Sequence, residues 1–251
     1  KDDCRKLGLE LEAPSVNRAS YYFSVAGDRA ILYGLGAIKG VGRAAVEALI
    51  AERGVNGPLG SLAEFCRRGD HDKVNRRALE AMVKSGAMDD FGQSRRALMH
   101  QVPEALKSAD QHARAQAAGQ NDMFGLEATP EPDDIPVSVD MDEWPERLLL
   151  SSEKEALGLY LTGHPFHAVR ADARCFVDGT LAELAAEPPP QTARGARDYS
   201  QSRREVTIAG LVVDVRKRGN RISVVLDDDT GRMEVGLFGE AFQEFRHLLV
   251  K

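Results

Sequence analysis

The sequence predicts a multi-domain, mainly α-helical chain that ends in a partial β-barrel. Three observations predict this fold class. The length of 251 residues suits two or three small modules better than one large domain. Before the linker that begins at Pro188-Pro189-Pro190, the apolar residues recur with the period of a helix. From Glu205 onward they alternate with polar residues, as in a strand.

The charge is divided unevenly along the chain, although the formal net charge is −6. Between residues 29 and 100 there are 12 Lys/Arg and 8 Asp/Glu residues, whereas between residues 121 and 160 there are 2 and 11. We therefore expect a basic surface and an acidic surface on different segments. No apolar run reaches the roughly 20 residues of a membrane span. The N-terminus also lacks the basic segment followed by an apolar segment that is typical of a signal peptide. Both observations predict a cytoplasmic chain without a membrane partner.

The first informative motif is a glycine-rich turn at residues 34–42, here called hairpin one. Glycine at positions 40 and 42 allows unusual backbone angles and a close approach of the main chain to a ligand. A helix is predicted to begin near Arg43, so its unpaired N–H groups would lie beside the turn and attract phosphate. This is the pattern of a helix-hairpin-helix element that binds a nucleic-acid backbone. The predicted DNA-binding residues are Gly36, Ile38, Lys39, Gly40, Val41, Gly42 and Arg43; an ordinary turn between core elements is the alternative.

The next elements repeat the order of helix, tight turn and helix. Ser61 and Asn75 are each placed to cap a helix, and a further helix is predicted to begin close to Arg95. The intervening turn at residues 87–92, here called hairpin two, has Asp90 where hairpin one has its first glycine. Because carboxylates repel phosphate, we interpret it as a degenerate copy that completes the core.

The segment from Gln120 to Leu126 is an apolar cluster within a polar, proline-containing stretch, which indicates either a docking peptide or an anchor onto the parent domain. A helix is then predicted from Trp144 to Thr162, with Gly163 as its C-cap. His164 and His167 follow this stop, and we expect them to serve capping and packing. The three isolated cysteines are expected to be reduced thiols, since a zinc site needs closely paired ligands.

The C-terminal region predicts strands at residues 206–215, 222–226 and 233–238, a helix at 240–245 and the beginning of a fourth strand. This is the order of an OB-fold, whose barrel face binds single strands. We assign the run of aspartates at 227–229 to turn chemistry. The predicted single-strand-binding residues lie in the first turn: Lys217, Arg218, Asn220 and Arg221.

Three motifs give the chain a resemblance to a known family: Tyr33 to Gly42, Lys73-Val74-Asn75-Arg76-Arg77, and Glu153 to Pro165. Together they resemble the C-terminal part of the bacterial replicative DNA polymerase III alpha subunit. The resemblance implies a tandem helix-hairpin-helix module on double-stranded DNA, an internal peptide that binds the sliding clamp, and an OB domain facing single-stranded template. It implies other polymerase holoenzyme subunits as further partners. The implied clamp-binding residues are Gln120, Asp122, Met123 and Phe124.

The resemblance also divides the chain. It implies a tail of the fingers domain (1–25), the tandem hairpin domain (26–118), the clamp peptide (119–127), an acidic linker with a packing helix (128–180), a second linker (181–204) and an incomplete OB-fold (205–251). The palm aspartates of the family are absent, so we expect an excised piece with no catalytic residue, no metal ligand and no cofactor of its own. Mg²⁺ is expected in the missing palm.

Three alternatives remain open from the sequence. The chain could be a non-catalytic adaptor in repair or recombination, because hairpin modules and OB barrels also occur together in junction-binding proteins. It could be a structural helical spacer, which would show no salt-sensitive binding to duplex DNA. It could also come from an error-prone paralogue of the same polymerase family, although the clamp peptide favours the replicative enzyme.

Overall fold

The computed structural model describes residues 1–69, 75–117, 140–187, 204–219 and 221–249. The chain forms two units, Lys1–Thr162 and Gly163–Lys251. The first is mainly helical and the second contains an antiparallel sheet, which confirms the predicted fold class. In the described ranges, no helix combines the length and the apolar character needed to cross a membrane.

The first unit contains six α-helices and three short strands within its described residues. The first helix and the strands are α1 (Asp2–Lys6), β1 (Glu10–Glu12), β2 (Ser24–Gly27) and β3 (Ala30–Leu32). The remaining helices are α2 (Arg43–Asn56), α3 (Leu62–Arg68), α4 (Arg76–Lys84), α5 (Arg95–Ala117) and α6 (Glu146–Leu157).

The small sheet near the N-terminus was not predicted from the sequence. Strand β3 pairs in parallel with β1 and antiparallel with β2. The strands have only three or four residues, too few for an alternating pattern to be recognised. Strand β2 crosses the predicted boundary between residues 25 and 26, and Val16 and Ala19 lie in the same apolar core as Leu35 and Leu79.

Two predicted helix caps are confirmed in the first unit. The side chain of Ser61 accepts a hydrogen bond from the backbone N–H of Glu64 at 3.1 Å, and that of Asn75 accepts one from Ala78 at 2.9 Å. Each interaction satisfies a backbone donor that the first helical turn would otherwise leave unpaired. They fix the starts of α3 and α4, whose apolar faces enter the core.

The predicted end of the helix at Gly163 is wrong. Helix α6 ends at Leu157, and Gly158 is its C-cap with a φ of 82°, a conformation that favours glycine. The chain cannot continue as a helix because the backbone N–H groups of Leu161 and Thr162 donate to the carboxylate of Glu153, at 2.9 and 3.1 Å. A buried side chain therefore ends the helix five residues earlier than the sequence suggested.

The second unit contains α7 (His167–Ala173), α8 (Leu181–Ala186), β4 (Leu211–Arg218), β5 (Arg221–Asp227), β6 (Arg232–Leu237) and α9 (Gly239–Phe245). The strands form an antiparallel sheet in the order β4-β5-β6, with a bulge between Val212 and Asp214. This order agrees with the predicted start of an OB-fold.

Two details of the predicted sheet are wrong. Strand β4 begins at Leu211 and not at Val206, because the backbone of Thr207 instead exchanges hydrogen bonds with Asp178. Among the described residues no fourth strand follows α9. The N–H groups of Leu248 and Leu249 donate to carbonyls three residues earlier, which makes a turn there.

Candidate nucleic-acid interface

Hairpin one is anchored by its apolar residues and exposes its glycines. The side chains of Ile38 and Val41 are buried, with 2% and 8% of their surface exposed. Between them Gly40 has a φ of +86°, and a Cβ added there would have no neighbour within 4 Å. Gly40 therefore supplies a backbone conformation that other residues rarely adopt, at a point where the main chain faces open space.

Gly36 has a different role from Gly40. Its N–H donates to the carbonyl of Tyr21 at 3.0 Å, and a Cβ at this position would lie 2.4 Å from the Tyr21 ring. Gly36 is thus required for close packing against Tyr21. Gly36, Ile38 and Val41 therefore pack hairpin one against the core. The other predicted DNA-binding residues are exposed on its surface: Lys39, Gly40, Gly42 and Arg43.

The N-terminus of α2 leaves several donors available beside hairpin one. Gly42 is the N-cap and has no side chain to accept a hydrogen bond, and the first helical bond is made by Val46 to the Gly42 carbonyl at 3.2 Å. Within the described residues, no acceptor is found for the N–H groups of four exposed residues, Gly40, Gly42, Arg43 and Ala44. Exposed N–H groups at the positive end of a helix form an anion-binding site.

Lys39 and Arg43 flank these donors on the surface. The backbone N–H of Lys39 is used internally, since it donates to the carbonyl of Ala156 at 2.9 Å, whereas its side chain is exposed. Arg43 pairs with Glu47 at 2.7 Å, and its guanidinium lies 5.3 Å from the centre of the Tyr21 ring. Because both members of this ion pair are more than half exposed, the pair is weak and Arg43 can be drawn to a phosphate.

Hairpin two has the same plan, but its anion-binding position is filled by the protein. The carboxylate of Glu143 accepts the N–H groups of Arg95 and Arg96 at 2.7 and 3.2 Å, and the hydroxyl of Ser94 accepts that of Ala97 at 3.1 Å. These are the first donors of α5. The structure therefore agrees with the interpretation of hairpin two as a degenerate copy, and it supplies a reason beyond the charge of Asp90.

A buried ion-pair network holds α5 and α6 together next to hairpin two. The guanidinium of Arg95 contacts Asp89 at 2.7 Å and Glu153 at 3.1 Å. The side chains of Arg95 and Glu153 are 4% and 0% exposed. Burial lowers the pKa of Arg95, but Asp89 and Glu153 together raise it above its ordinary value. The Glu153 carboxylate also accepts the Thr162 hydroxyl at 2.8 Å.

The other predicted binding residues are only partly placed by the structure. The predicted clamp peptide, with Gln120, Asp122, Met123 and Phe124, lies outside the described residues, as does Asn220. Lys217 is exposed on β4, and Arg218 and Arg221 are opposite each other in register across the β4–β5 turn. Their assignment to single-stranded DNA stays a prediction.

The aspartates between β5 and β6 form a turn, in agreement with the sequence analysis. Asp228 accepts hydrogen bonds from the N–H groups of Thr230 and Gly231 and, at 2.9 Å, from that of Leu181 at the start of α8. Burial raises the pKa of Asp228, but these hydrogen bonds together hold it below its ordinary value. In the described ranges, no group of three or more His, Cys, Asp or Glu side chains has an arrangement that could hold a metal ion.

The two histidines after the first unit contact the same turn. His164 is buried with its Nε2 atom 3.3 Å from Asp227, and the Nε2 atom of His167 lies 2.9 Å from Asp229. They connect the start of α7 and the residues just before it to the aspartates at 227–229, which agrees with the packing part of the role predicted for them.

Sequence reasoning missed Glu143 as a functional residue. Glu143 is one of many acidic residues between 121 and 160, and it is separated by 48 positions from the backbone group that it binds. No local pattern marks such a contact.

Comparisons with known proteins agree with this architecture. A model described as a helix-hairpin-helix motif matches residues 8–98, and one described as an OB-fold nucleic acid binding domain matches residues 206–251. The chain is 44% identical over 256 aligned residues to DNA polymerase III subunit alpha of Escherichia coli O157:H7, 40% over 258 residues to that of Vibrio cholerae serotype O1, and 39% over 257 residues to that of Xylella fastidiosa strain Temecula1.

Each alignment includes 100% of this chain and 21% of the relative. The chain spans about one fifth of the length of these curated relatives. In sequence, the whole chain therefore matches the C-terminal region of DNA polymerase III subunit alpha, and it contains the helix-hairpin-helix and OB-fold nucleic-acid-binding elements expected there.

Proposed function

We propose that this chain is the part of a replicative, DNA-directed DNA polymerase that holds duplex DNA and tethers the enzyme to its sliding clamp. Duplex DNA would be held by hairpin one, and the clamp by the peptide at Gln120, Asp122, Met123 and Phe124. Polymerisation itself, with Mg²⁺ ions, would take place in the palm of the parent protein in the cytoplasm.

The observation that carries the DNA-binding part is the open anion-binding position at the start of α2. It combines the exposed N–H groups of Gly40 and Gly42 with the flanking charges of Lys39 and Arg43. Backbone N–H groups and side-chain cations all suit a phosphate oxygen, which every nucleotide presents in the same way. Binding through them is expected to be independent of sequence and sensitive to salt.

The clamp-binding part is supported by the resemblance and by the position of the peptide. In the described chain, α5 precedes the peptide, and after it the carbonyl of Met141 accepts the hydroxyl of Ser94 at 2.7 Å. A peptide between these points is attached at both ends to the unit that carries hairpin one. Its Met123 and Phe124 would enter an apolar pocket of the clamp, and Gln120 a polar one.

The proposal is tested by measuring both partners with one protein. The 251-residue chain is expected to bind a short duplex with an affinity that falls steeply with salt, and to bind the isolated sliding clamp. Replacing Met123 and Phe124 by alanine should abolish clamp binding and leave duplex binding unchanged. Phe176→Ala is the control, because Phe176 is an exposed aromatic residue of the second unit, 77% accessible.

The two parts of the proposal can fail separately. Clamp affinity that survives the double alanine change would refute the peptide assignment. Duplex binding that is absent, or that does not respond to salt, would refute the role of hairpin one and favour a structural spacer.

A further inference from the structure

The motif Lys73-Val74-Asn75-Arg76-Arg77 has no role in the proposed function so far, and the structure places its described part beside hairpin one. A cleft of about 420 Å³ lies between hairpin one, α4 and α6. Its lining includes Lys39 and Gly40 from hairpin one, Arg77 and Lys84 from α4, and Glu155 from α6. Hairpin one and the start of α4 therefore share one concave surface.

The three described residues of this motif are used in different ways. The Asn75 side chain caps α4 by accepting the N–H of Ala78. Arg76 forms an ion pair with Glu80 at 2.8 Å, one turn along the helix. Arg77 is exposed, lines the cleft, and has no hydrogen bond or ion pair to any other residue that the structure describes.

The carboxylates of the cleft are already neutralised by other cations. Glu80 is paired with Arg76, and both oxygens of Glu155 accept from the Lys84 ammonium, at 2.8 and 2.9 Å. Lys39 and Arg77 remain as two exposed cations in the cleft without an ion-pair partner among the described residues. An anion that entered beside Gly40 would meet positive charge from hairpin one and from α4.

We infer that this cleft is a second phosphate site for duplex DNA, in which Lys39 and Arg77 hold one backbone phosphate next to the phosphate bound at the start of α2. The inference rests on the proposed function, because it extends the same DNA-binding surface. It gives hairpin one and the start of α4 a common ligand. It also identifies Arg77 as a DNA-contacting residue outside the hairpin.

The geometry favours a backbone phosphate over a small free anion. The cleft provides charges from two separate elements, Lys39 from hairpin one and Arg77 from α4. A guanidinium and an ammonium on a shared phosphate give charge-assisted hydrogen bonds without reading any base.

The test measures duplex affinity of the full 251-residue chain as a function of salt. Arg77→Gln should weaken binding about tenfold, as expected for the loss of a charged hydrogen bond, and should make the slope of log K against log salt shallower by about 0.9. Arg114→Gln is the charge-matched control, because Arg114 is 81% exposed on α5 and pairs only with Asp110 in the ion pairs described. The control should change the affinity less than about twofold.

A double-mutant cycle then tests whether the two cations share a phosphate. If they do, the loss for Lys39→Gln combined with Arg77→Gln should be smaller than the product of the two single losses. The inference would be overturned if Arg77→Gln changed the duplex affinity no more than Arg114→Gln does. It would also be overturned if the loss of affinity in the double variant equalled the product of the two single losses. Because Arg77 is exposed, its replacement should leave the melting temperature unchanged, and this measurement excludes misfolding as the cause.

Failure of this inference can be distinguished from failure of the proposed function. A wild-type chain without salt-sensitive duplex binding would refute the proposed function itself. Wild-type binding that is lost on changing hairpin one but is unaffected by Arg77→Gln would refute only the cleft site.

Discussion

Replacing Gly42 by aspartate should separate the stability of hairpin one from its ability to bind DNA. Gly42 is the N-cap of α2 with a φ of −79° and a ψ of 151°, and a Cβ at this position would have no neighbour within 4 Å. Any residue can adopt this conformation. Aspartate is a preferred N-cap, so its carboxylate should accept the N–H groups of the first turn, as Glu143 does at α5.

The expected effects on folding and on binding have opposite signs. Capping and the favourable interaction of a negative charge with the helix dipole should stabilise the first unit by about 0.5–1 kcal/mol. For a phosphate about 4 Å from the new carboxylate, repulsion is about 1 kcal/mol in a water-like environment and about 4 kcal/mol near a protein surface. At about 1.4 kcal/mol per factor of ten, duplex binding should weaken by about fivefold to several hundredfold.

The assay is fluorescence anisotropy of a labelled duplex at several salt concentrations, combined with thermal unfolding of the same samples. Gly42→Asn is the matched control, because asparagine also caps the helix but carries no charge. It should keep most of the affinity, whereas Gly42→Asp should lose binding with an unchanged or raised melting temperature. Wild-type affinity in Gly42→Asp would refute the placement of a phosphate at the start of α2.

Three further outcomes are expected from the buried and paired groups. Glu153→Ala should destabilise the first unit by about 3–5 kcal/mol in denaturant titrations, because it leaves Arg95 without its buried partner. The pKa of Asp228 is lowered in the folded chain, so its hydrogen bonds stabilise the second unit fully at pH values above the pKa of an unfolded aspartate, about 3.9. This stabilisation is lost as the pH falls through the lower pKa of the folded state. Hydrogen-exchange protection at Leu181 should therefore fall below about pH 4 in the wild type and change less with pH in Asp228→Asn. Burial raises the pKa of the Cys66 thiol to about 12, so an alkylating reagent near neutral pH should modify the exposed Cys175 and spare Cys66 in mass spectra.

The sequence could predict the features that depend on neighbouring residues. The caps at Ser61 and Asn75, the helix beginning at Arg43 and the turn formed by the aspartates each arise from contacts within a few positions. Each of these features needs a particular residue type that forms a hydrogen bond within a few positions, so the sequence itself indicates it. The order of the three C-terminal strands was predictable for the same reason, since alternation and turn residues lie next to each other.

The features that the sequence could not predict depend on distant contacts. Helix α6 ends at Gly158 because Glu153 captures the N–H groups of Leu161 and Thr162, and Glu153 is fixed in turn by Arg95, 58 positions away. The sequence favoured Gly163 as the stop, and the buried network places it at Gly158 instead. Lys39 and Arg77, which have no ion-pair partner among the described residues, were hidden in the same way, because they line one cleft only when α4 packs beside hairpin one.

The contrast between the two hairpins links DNA binding to the predicted tether. At hairpin one the first donors of the following helix have no acceptor among the described residues, whereas at hairpin two Glu143 accepts them. The described chain is held in the first unit on both sides of the predicted clamp peptide, by α5 before it and by the contact of Ser94 with Met141 after it. If the peptide between these points binds the clamp, and hairpin one binds duplex DNA as proposed, then one chain segment joins both partners to the first unit. Such tethering raises the effective concentration of one partner for the other, so a clamp already on DNA should bring the duplex to hairpin one with little additional affinity required from the hairpin itself.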